Sequence, residues 1–255
     1  MRIAVCIKRV PITGGRIVLT ENARAIDTRH LGFTMSPHEE CGVEEAVRLI
    51  EANQGDSVVL TLGPTEAVEQ LRDAMALGID RAVHLQTDGA EWDGEATAAA
   101  LLEAIRADEA THGRFDVVFF GNESADSAGF QIGIRVAHAL GRPCVTGLKK
   151  VALEGASVRC EQEVEGGRDV YVVPLPAVLT VKEGLNLPRY PSVPGRMRAR
   201  SKPVAVSTPN DRPAPRLELV KLAVPAGQGR RAESLGTGPA AASAVVDVLQ
   251  QAGLL

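Results

Sequence analysis

The stretch with the most chemistry in it is GNESADSAGFQIG, Gly121 to Gly133. Gly121 and Gly129 permit tight backbone turns. Ser124, Ser127 and Gln131 offer hydrogen-bond donors, and a helix opening here presents free N–H groups to an anion. Glu123 and Asp126 repel phosphate but accept from a ribose hydroxyl. The stretch therefore suits a nucleotide with its phosphate on the helix end and its sugar beside the acids. It also reads as an ordinary polar strand-to-helix loop. There is no GxGxxG, no GxxxxGK[ST] and no GxSxG elbow. No nucleophile stands beside a base, so the catalytic set is empty.

A second stretch, LNLPRYPSVPGRMRARSKP, runs from Leu185 to Pro203. Arg189, Arg196, Arg198, Arg200 and Lys202 give it charge, with no acid between Pro188 and Lys202. Pro188, Pro191 and Pro194 fall at every third position, and Val193 sits alone among polar neighbours. Prolines stiffen such a segment before it meets a partner. In a chain of net charge −4 the natural reading is a stiff, basic presentation loop with a small apolar tip.

The elements that must position these residues alternate. IAVCIK (3–8), SVVLTLG (57–63), AVHLQ (82–86) and FDVVFFG (115–121) read as buried strands. Helical patterns separate them. Ser36 is a plausible N-cap, followed by Pro37 at the first helical position and by Glu39, which completes a capping box; Val43, Val47 and Ile50 then repeat at helical spacing. SAGFQIGIRVAHALG, from Ser127 to Gly141, reads as the fourth helix. Fully apolar strands joined by single helices form a doubly wound, mostly parallel α/β sheet. From Val151 an antiparallel excursion is expected, with turns at Glu154-Gly155 and Gly166-Gly167, before AVLTVKEG (177–184) returns to the sheet. Regular structure is expected to lapse from Leu185 to Gly238, and the last segment to form one helix bearing Val245, Val246, Leu249 and Leu254.

Composition narrows the function classes. Hydrophobic residues make up 45% and aromatics 3%, so the core is aliphatic and a base-stacking nucleic-acid platform is excluded. Cys6, Cys41, Cys144 and Cys160 fit neither a zinc site nor a redox pair and read as free thiols in a reducing compartment. The N-terminal MRIAVCIKRVP lacks the pattern of a leader, and no apolar run is long enough for a membrane span. A cytoplasmic location without membrane insertion is the expectation.

Several blocks together resemble one family. MRIAVCIKRVP, SPHEECGVEEAVRL, ALGIDRAVHL, GNESADSAGFQIGIRVAHALG, EQEVEGG and LPAVLTVKEGLNLPRYPSVPGRMRARSKP occur in the order and spacing of the electron-transfer flavoprotein β subunit. The resemblance is close from Met1 to about Pro203 and looser over the terminal helix. It implies a Rossmann-like fold, similar to the adenine nucleotide α-hydrolases, in an electron carrier without catalytic chemistry of its own. It implies a heterodimer whose α subunit holds most of the FAD, whereas this chain holds a structural AMP. The AMP site maps to Cys6, Ser36, Pro37, His38, Glu39 and Leu62, and to Gly121, Asn122, Glu123, Ser124, Ala125, Asp126, Ser127, Ala128, Gly129, Phe130, Gln131 and Ile132. The loop that docks flavin-dependent dehydrogenases, of the acyl-CoA type or similar, maps to Arg189, Tyr190, Pro191, Ser192, Val193, Pro194, Gly195, Arg196, Met197 and Arg198, with Val193 as anchor. Glu163 matches a carboxylate that pairs with the flavin domain of α. A membrane quinone oxidoreductase is the implied acceptor, and no nucleic acid is a partner.

On this reading residues 1–184 form the nucleotide-binding α/β domain, 185–238 the recognition loop and extended arm, and 239–255 a helix packing on the partner subunit. The chain departs from the family pattern at a few places. His38 replaces an aromatic expected beside the flavin, Ser127-Ala128 replaces an acidic run, Ile132 replaces a hydroxyl residue, and Val193 is smaller than the usual Leu. Two alternatives stand beside the main reading. One is an electron-bifurcating form with a second FAD in place of AMP; the other is a stand-alone nucleotide-hydrolysing enzyme.

Overall fold

The computed structural model describes residues 1–14, 17–210, 212–225 and 233–255. The chain forms β1 (Arg2–Ile7), β2 (Arg9–Pro11), β3 (Phe33–Met35), α1 (Pro37–Asn53), β4 (Asp56–Gly63), α2 (Val68–Leu77), β5 (Arg81–Gln86), α3 (Gly94–His112), β6 (Val117–Gly121) and α4 (Ile132–Leu140). It continues through β7 (Cys144–Glu154), β8 (Ser157–Val164), β9 (Gly167–Pro174), β10 (Ala177–Val181), α5 (Val193–Ser201), β11 (Val204–Ser207) and α6 (Ala242–Gln251).

One nine-stranded sheet has the order β11-β5-β4-β1-β6-β10-β7-β8-β9, and β2 with β3 forms a small separate ladder. Strands from β11 to β7 are parallel, and β7, β8 and β9 extend the sheet as an antiparallel meander. Alternate residues along each strand face opposite sides. Val5, Val59, Phe119 and Leu179 pack under α1 and α2 with Val43, Val47, Leu71 and Met75. Their neighbours Ala4, Leu60, Val118 and Val178 pack under α3 and α4 with Leu101, Ile105 and Val136. Both faces are covered, which is why the parallel strands read apolar along their whole length. This is the doubly wound, Rossmann-like fold expected.

Local signals explain the first helix. Ser36 begins α1 with Pro37 in its first turn, and the capping box with Glu39 forms in both directions. Three local expectations need correction. The turns of the meander are Gly155-Ala156 and Glu165-Gly166, each a residue away from the expected position. The fourth helix does not begin at Ser127, because Ala128 and Phe130 adopt left-handed backbone (φ 46° and 55°), which a right-handed helix excludes. Regular structure does not lapse at once after Leu185: α5 and β11 form there, β11 adds to the sheet edge in parallel register with β5, and only from Thr208 to Thr237 do the described residues carry no helix or strand.

The reason for α5 lies in the sequence. The Ser192 hydroxyl accepts from the Gly195 N–H at 3.1 Å, and Pro194 occupies the first turn. The prolines taken as loop stiffeners thus start a helix. Pro203, just past Lys202, follows its end. The terminal segment makes a short 3₁₀ turn over Gly238–Ala241 and then α6, none of whose residues is buried.

Candidate functional site

The strand order reverses at β1. The chain passes from β1 to β4 and β5 on one side, then crosses to β6 on the other. Connections leaving the carboxyl ends of β1 and β6 therefore diverge, and the crevice between them is where open α/β sheets take ligands. Cys6, near the end of β1, sits between Leu60 of β4 and Phe120 of β6 and is buried. Leu62 lies further along β4, half-buried.

A glycine brings the next group in. A Cβ on Gly121 would stand 2.8 Å from Glu39 Cγ and 3.3 Å from His38 Cβ. Only its absence lets the end of β6 pass so close under the first turn of α1. The Ser36 hydroxyl consequently donates to the Glu123 carbonyl at 3.4 Å. Ser36–Glu39 and Gly121–Glu123, far apart in sequence, form one wall.

The loop from Asn122 to Gln131 is braced from below and shaped from within. Asn122 accepts from the Thr180 hydroxyl at 2.8 Å, and its N–H donates to the Val181 carbonyl at 2.9 Å. Ser124 and Ser127 hydroxyls lie 2.8 Å apart. Left-handed Ala128 and Phe130 then turn the chain into α4. Such backbone costs on the order of 1–3 kcal/mol per residue and clusters at ligand sites. Two helix N-termini meet here, since a Cβ on Gly94 would contact the Gln131 amide at 2.7 Å. The end of α3 is capped by Asp93, which accepts from the Ala96 N–H at 2.8 Å. Gln131 gives α4 no side-chain cap; its amide oxygen accepts from Arg135 instead, at 2.8 Å. The first-turn N–H groups of α4 are thus left for an anion.

The electrostatics are set by burial. Glu39 is 6% exposed, and burial pushes its carboxyl up to about 8, although the N–H groups of Lys8 and Ser36 donate to it. His38 is pushed below its ordinary value, first by burial, against the pull of Glu123; its Nδ1 is buried without a partner. Burial acts to raise Asp126, but Lys8 at 2.7 Å outweighs it and holds the carboxyl below its usual range. Beside His38 an open cleft of about 430 Å³ is lined by Glu123, Lys149, Lys182, Glu183 and Gly184.

The basic segment from Pro188 behaves differently from residue to residue. Arg189 lies down on α1, where its guanidinium forks onto Glu44 (2.9 Å) and Glu51 (2.7 Å). This explains a buried acid on α1: burial would raise Glu44, and Arg189 with Arg48 lowers it below the usual range. Helix α5 buries Gly195 and Ala199, one turn apart, with Gly195 against the Ala76 carbonyl of α2. Tyr190, Val193 and Met197 point out, 97%, 73% and 68% exposed. The two helices cap each other: Arg72 of α2 donates to the Ala199 and Lys202 carbonyls, and Lys202 to those of Met75 and Ile79. Glu163 is exposed on β8 opposite Arg168; its neighbour Glu161, not Glu163, takes the ion pairs with Lys150, Arg159 and Arg168.

Sequence reasoning missed Lys8, Glu91, Arg72 and the α1 acids that hold Arg189. Lys8 directly follows a strand whose carboxyl end is the natural place for a ligand, and that position was the available signal. The cysteines are free, as expected, with Cys6, Cys41 and Cys160 buried and Cys144 half-buried. No helix among the described residues is long and apolar enough to cross a membrane.

A doubly wound sheet with a polar loop and an uncapped helix at its switch point defines a Rossmann-like protein. The electron transfer flavoprotein domain matches residues 24–212. The electron transfer flavoprotein subunit beta of Mycobacterium bovis is 37% identical over 212 residues, covering 81% of this chain and 78% of the relative. The Bacillus subtilis subunit beta is 33% identical over 206 residues, covering 80% and 77%, and the mitochondrial subunit beta of Arabidopsis thaliana is 34% identical over 214, covering 83% of each. The chain belongs to the electron transfer flavoprotein β-subunit family.

Proposed function

We propose that this chain is the β subunit of a heterodimeric electron carrier and that it holds AMP in the β1–β6 crevice as a structural ligand. The observation that carries this reading is the uncapped N-terminus of α4 behind a braced loop with two left-handed non-glycine residues. The residues present suit a nucleotide monophosphate: the α4 N–H groups would receive its phosphate, Ser124 and Ser127 would supply hydroxyls, and Glu123 and Asp126 would take sugar hydroxyls. Cys6 and Leu62 form apolar walls for the adenine.

The α subunit supplies most of the FAD site, and the cleft beside His38 is where this chain meets the flavin. FAD, when bound, supplies the one- and two-electron chemistry; this chain's own residues orient and enclose it. His38, with its unpartnered Nδ1, faces that cleft, and Glu163 pairs with a cation on the flavin domain of α. The outer face of α5, Val193 with Arg196 and Met197, docks dehydrogenases, while Arg189 anchors the segment from behind. Helix α6 packs on α. Electrons leave towards a membrane quinone oxidoreductase, and the complex works in the cytoplasm.

The test is to co-purify the chain with its α subunit, denature the complex and identify the nucleotides released by mass and absorbance. About one AMP and one FAD per heterodimer are expected. Two FAD and no AMP would instead assign the bifurcating form, and an active hydrolase from this chain alone would refute the carrier reading.

A further inference from the structure

The crevice poses a problem that its own residues must solve. An anion cannot sit comfortably beside Asp126, whose Oδ1 is buried with no hydrogen-bond partner. Among the described residues, Lys8 reaches in. Lys8 is the first residue after β1, and its N–H donates to Glu39 Oε2 at 2.9 Å, which fixes its backbone to the start of α1. Its ammonium lies 2.7 Å from Asp126 of the β6–α4 loop and 2.9 Å from Glu91 of the β5–α3 loop. One half-buried side chain thus ties the end of β1 to both loops that flank the crevice.

We infer that Lys8 is the positioning residue of the nucleotide site: it neutralises Asp126 and holds the β6–α4 loop in the shape that receives an anionic ligand. The inference rests on the nucleotide reading above and adds to it a residue and a cause. Without the lysine, Asp126, half-buried with its Oδ1 out of reach of solvent, is an unpaired carboxylate, and breaking such a pair by removing one partner is unfavourable. The loop then either opens to hydrate the acid or meets the ligand with uncompensated negative charge. Either way the ligand is lost, although the lysine need not touch it. Removing the acid together with the lysine removes the problem.

The experiment is a charge cycle on the intact heterodimer, reading AMP stoichiometry after denaturation and AMP affinity by equilibrium titration. Lys8→Met is expected to weaken AMP binding at least about tenfold. Lys8→Met/Asp126→Asn is expected to regain most of that loss, short of the contact that Asp126 itself offers a sugar hydroxyl, and Lys8→Arg, which keeps the charge against Asp126, to retain AMP. If Lys8→Met assembles poorly, Lys8→Arg still decides, because a loss of AMP with the charge retained overturns the inference. Equal losses in Lys8→Met and the double variant overturn it too, since the lysine then acts on the ligand directly. A parent complex that releases no adenine nucleotide other than FAD refutes the nucleotide reading itself, and that outcome is distinct from failure of the cycle.

Discussion

Gly195→Ala tests whether the docking segment is a helix bolted to α2. The new methyl would lie 2.6 Å from the Ala76 carbonyl oxygen, well inside the 3.4 Å at which ordinary contact begins. That oxygen belongs to the backbone of α2, so no flexible side chain can swing aside. Alanine improves intrinsic helix propensity by up to about 1 kcal/mol. Overpacking a tight contact costs about 1–3 kcal/mol. The clash wins because the contact is short and rigid, and the net is a destabilisation of about 1 kcal/mol, expressed locally. It pushes α5 outward and weakens the reciprocal caps of Arg72 and Lys202. Amide exchange in α5 should therefore accelerate by roughly fivefold, while β1 and β6 stay protected. Hydrogen-exchange mass spectrometry of the heterodimer measures both at once. Slower exchange in α5 would mean that propensity had won, and the packing of Gly195 on α2 would be refuted.

Two further outcomes follow from the site. Val193→Ala is expected to raise the dissociation rate from a dehydrogenase and weaken binding by roughly tenfold at any salt, whereas Arg196→Ala should mainly slow association, an effect that disappears at high ionic strength; surface plasmon resonance at two salt concentrations separates them. Glu39 has its carboxyl pushed up to about 8 in the fold, so its contribution to stability is fully present below the ordinary glutamate range and is lost as pH rises through about 8. Compared with Glu39→Gln, the parent should therefore lose on the order of a few kcal/mol between pH 5 and pH 9, read by denaturant melts of the two proteins side by side.

Much of the architecture was legible because its causes are local. The capping box at Ser36 and Glu39 and the alternation of apolar strands with helical patterns need no knowledge of the fold. Helix α5 was misread because its evidence points two ways. Prolines spaced by three suggest an extended segment, and only Ser192 placed before Pro194 marks a helix start. Strand β11 carries too short a pattern to announce itself; it exists because β5 offers an open edge. The candidate site divides the same way. The loop from Gly121 announces itself through its residue types. Lys8 with Glu91, and Arg189 with Glu44 and Glu51, meet only once the topology has brought distant segments together, so neither pairing leaves a mark in the sequence.

The mutual capping of α2 and α5 has a consequence for how such a carrier changes partners. Residues facing inward on α5, Gly195 and Ala199, answer to the fold, while those facing outward, Val193 and Met197, meet solvent. Because the anchoring uses backbone carbonyls and two basic side chains from below, the outward positions carry little of the structural load. The helix behaves as a fixed mount with an exchangeable faceplate. If that face docks partners as proposed, substitutions at Val193, Arg196 and Met197 change the clientele without renegotiating the stability of the protein that carries them.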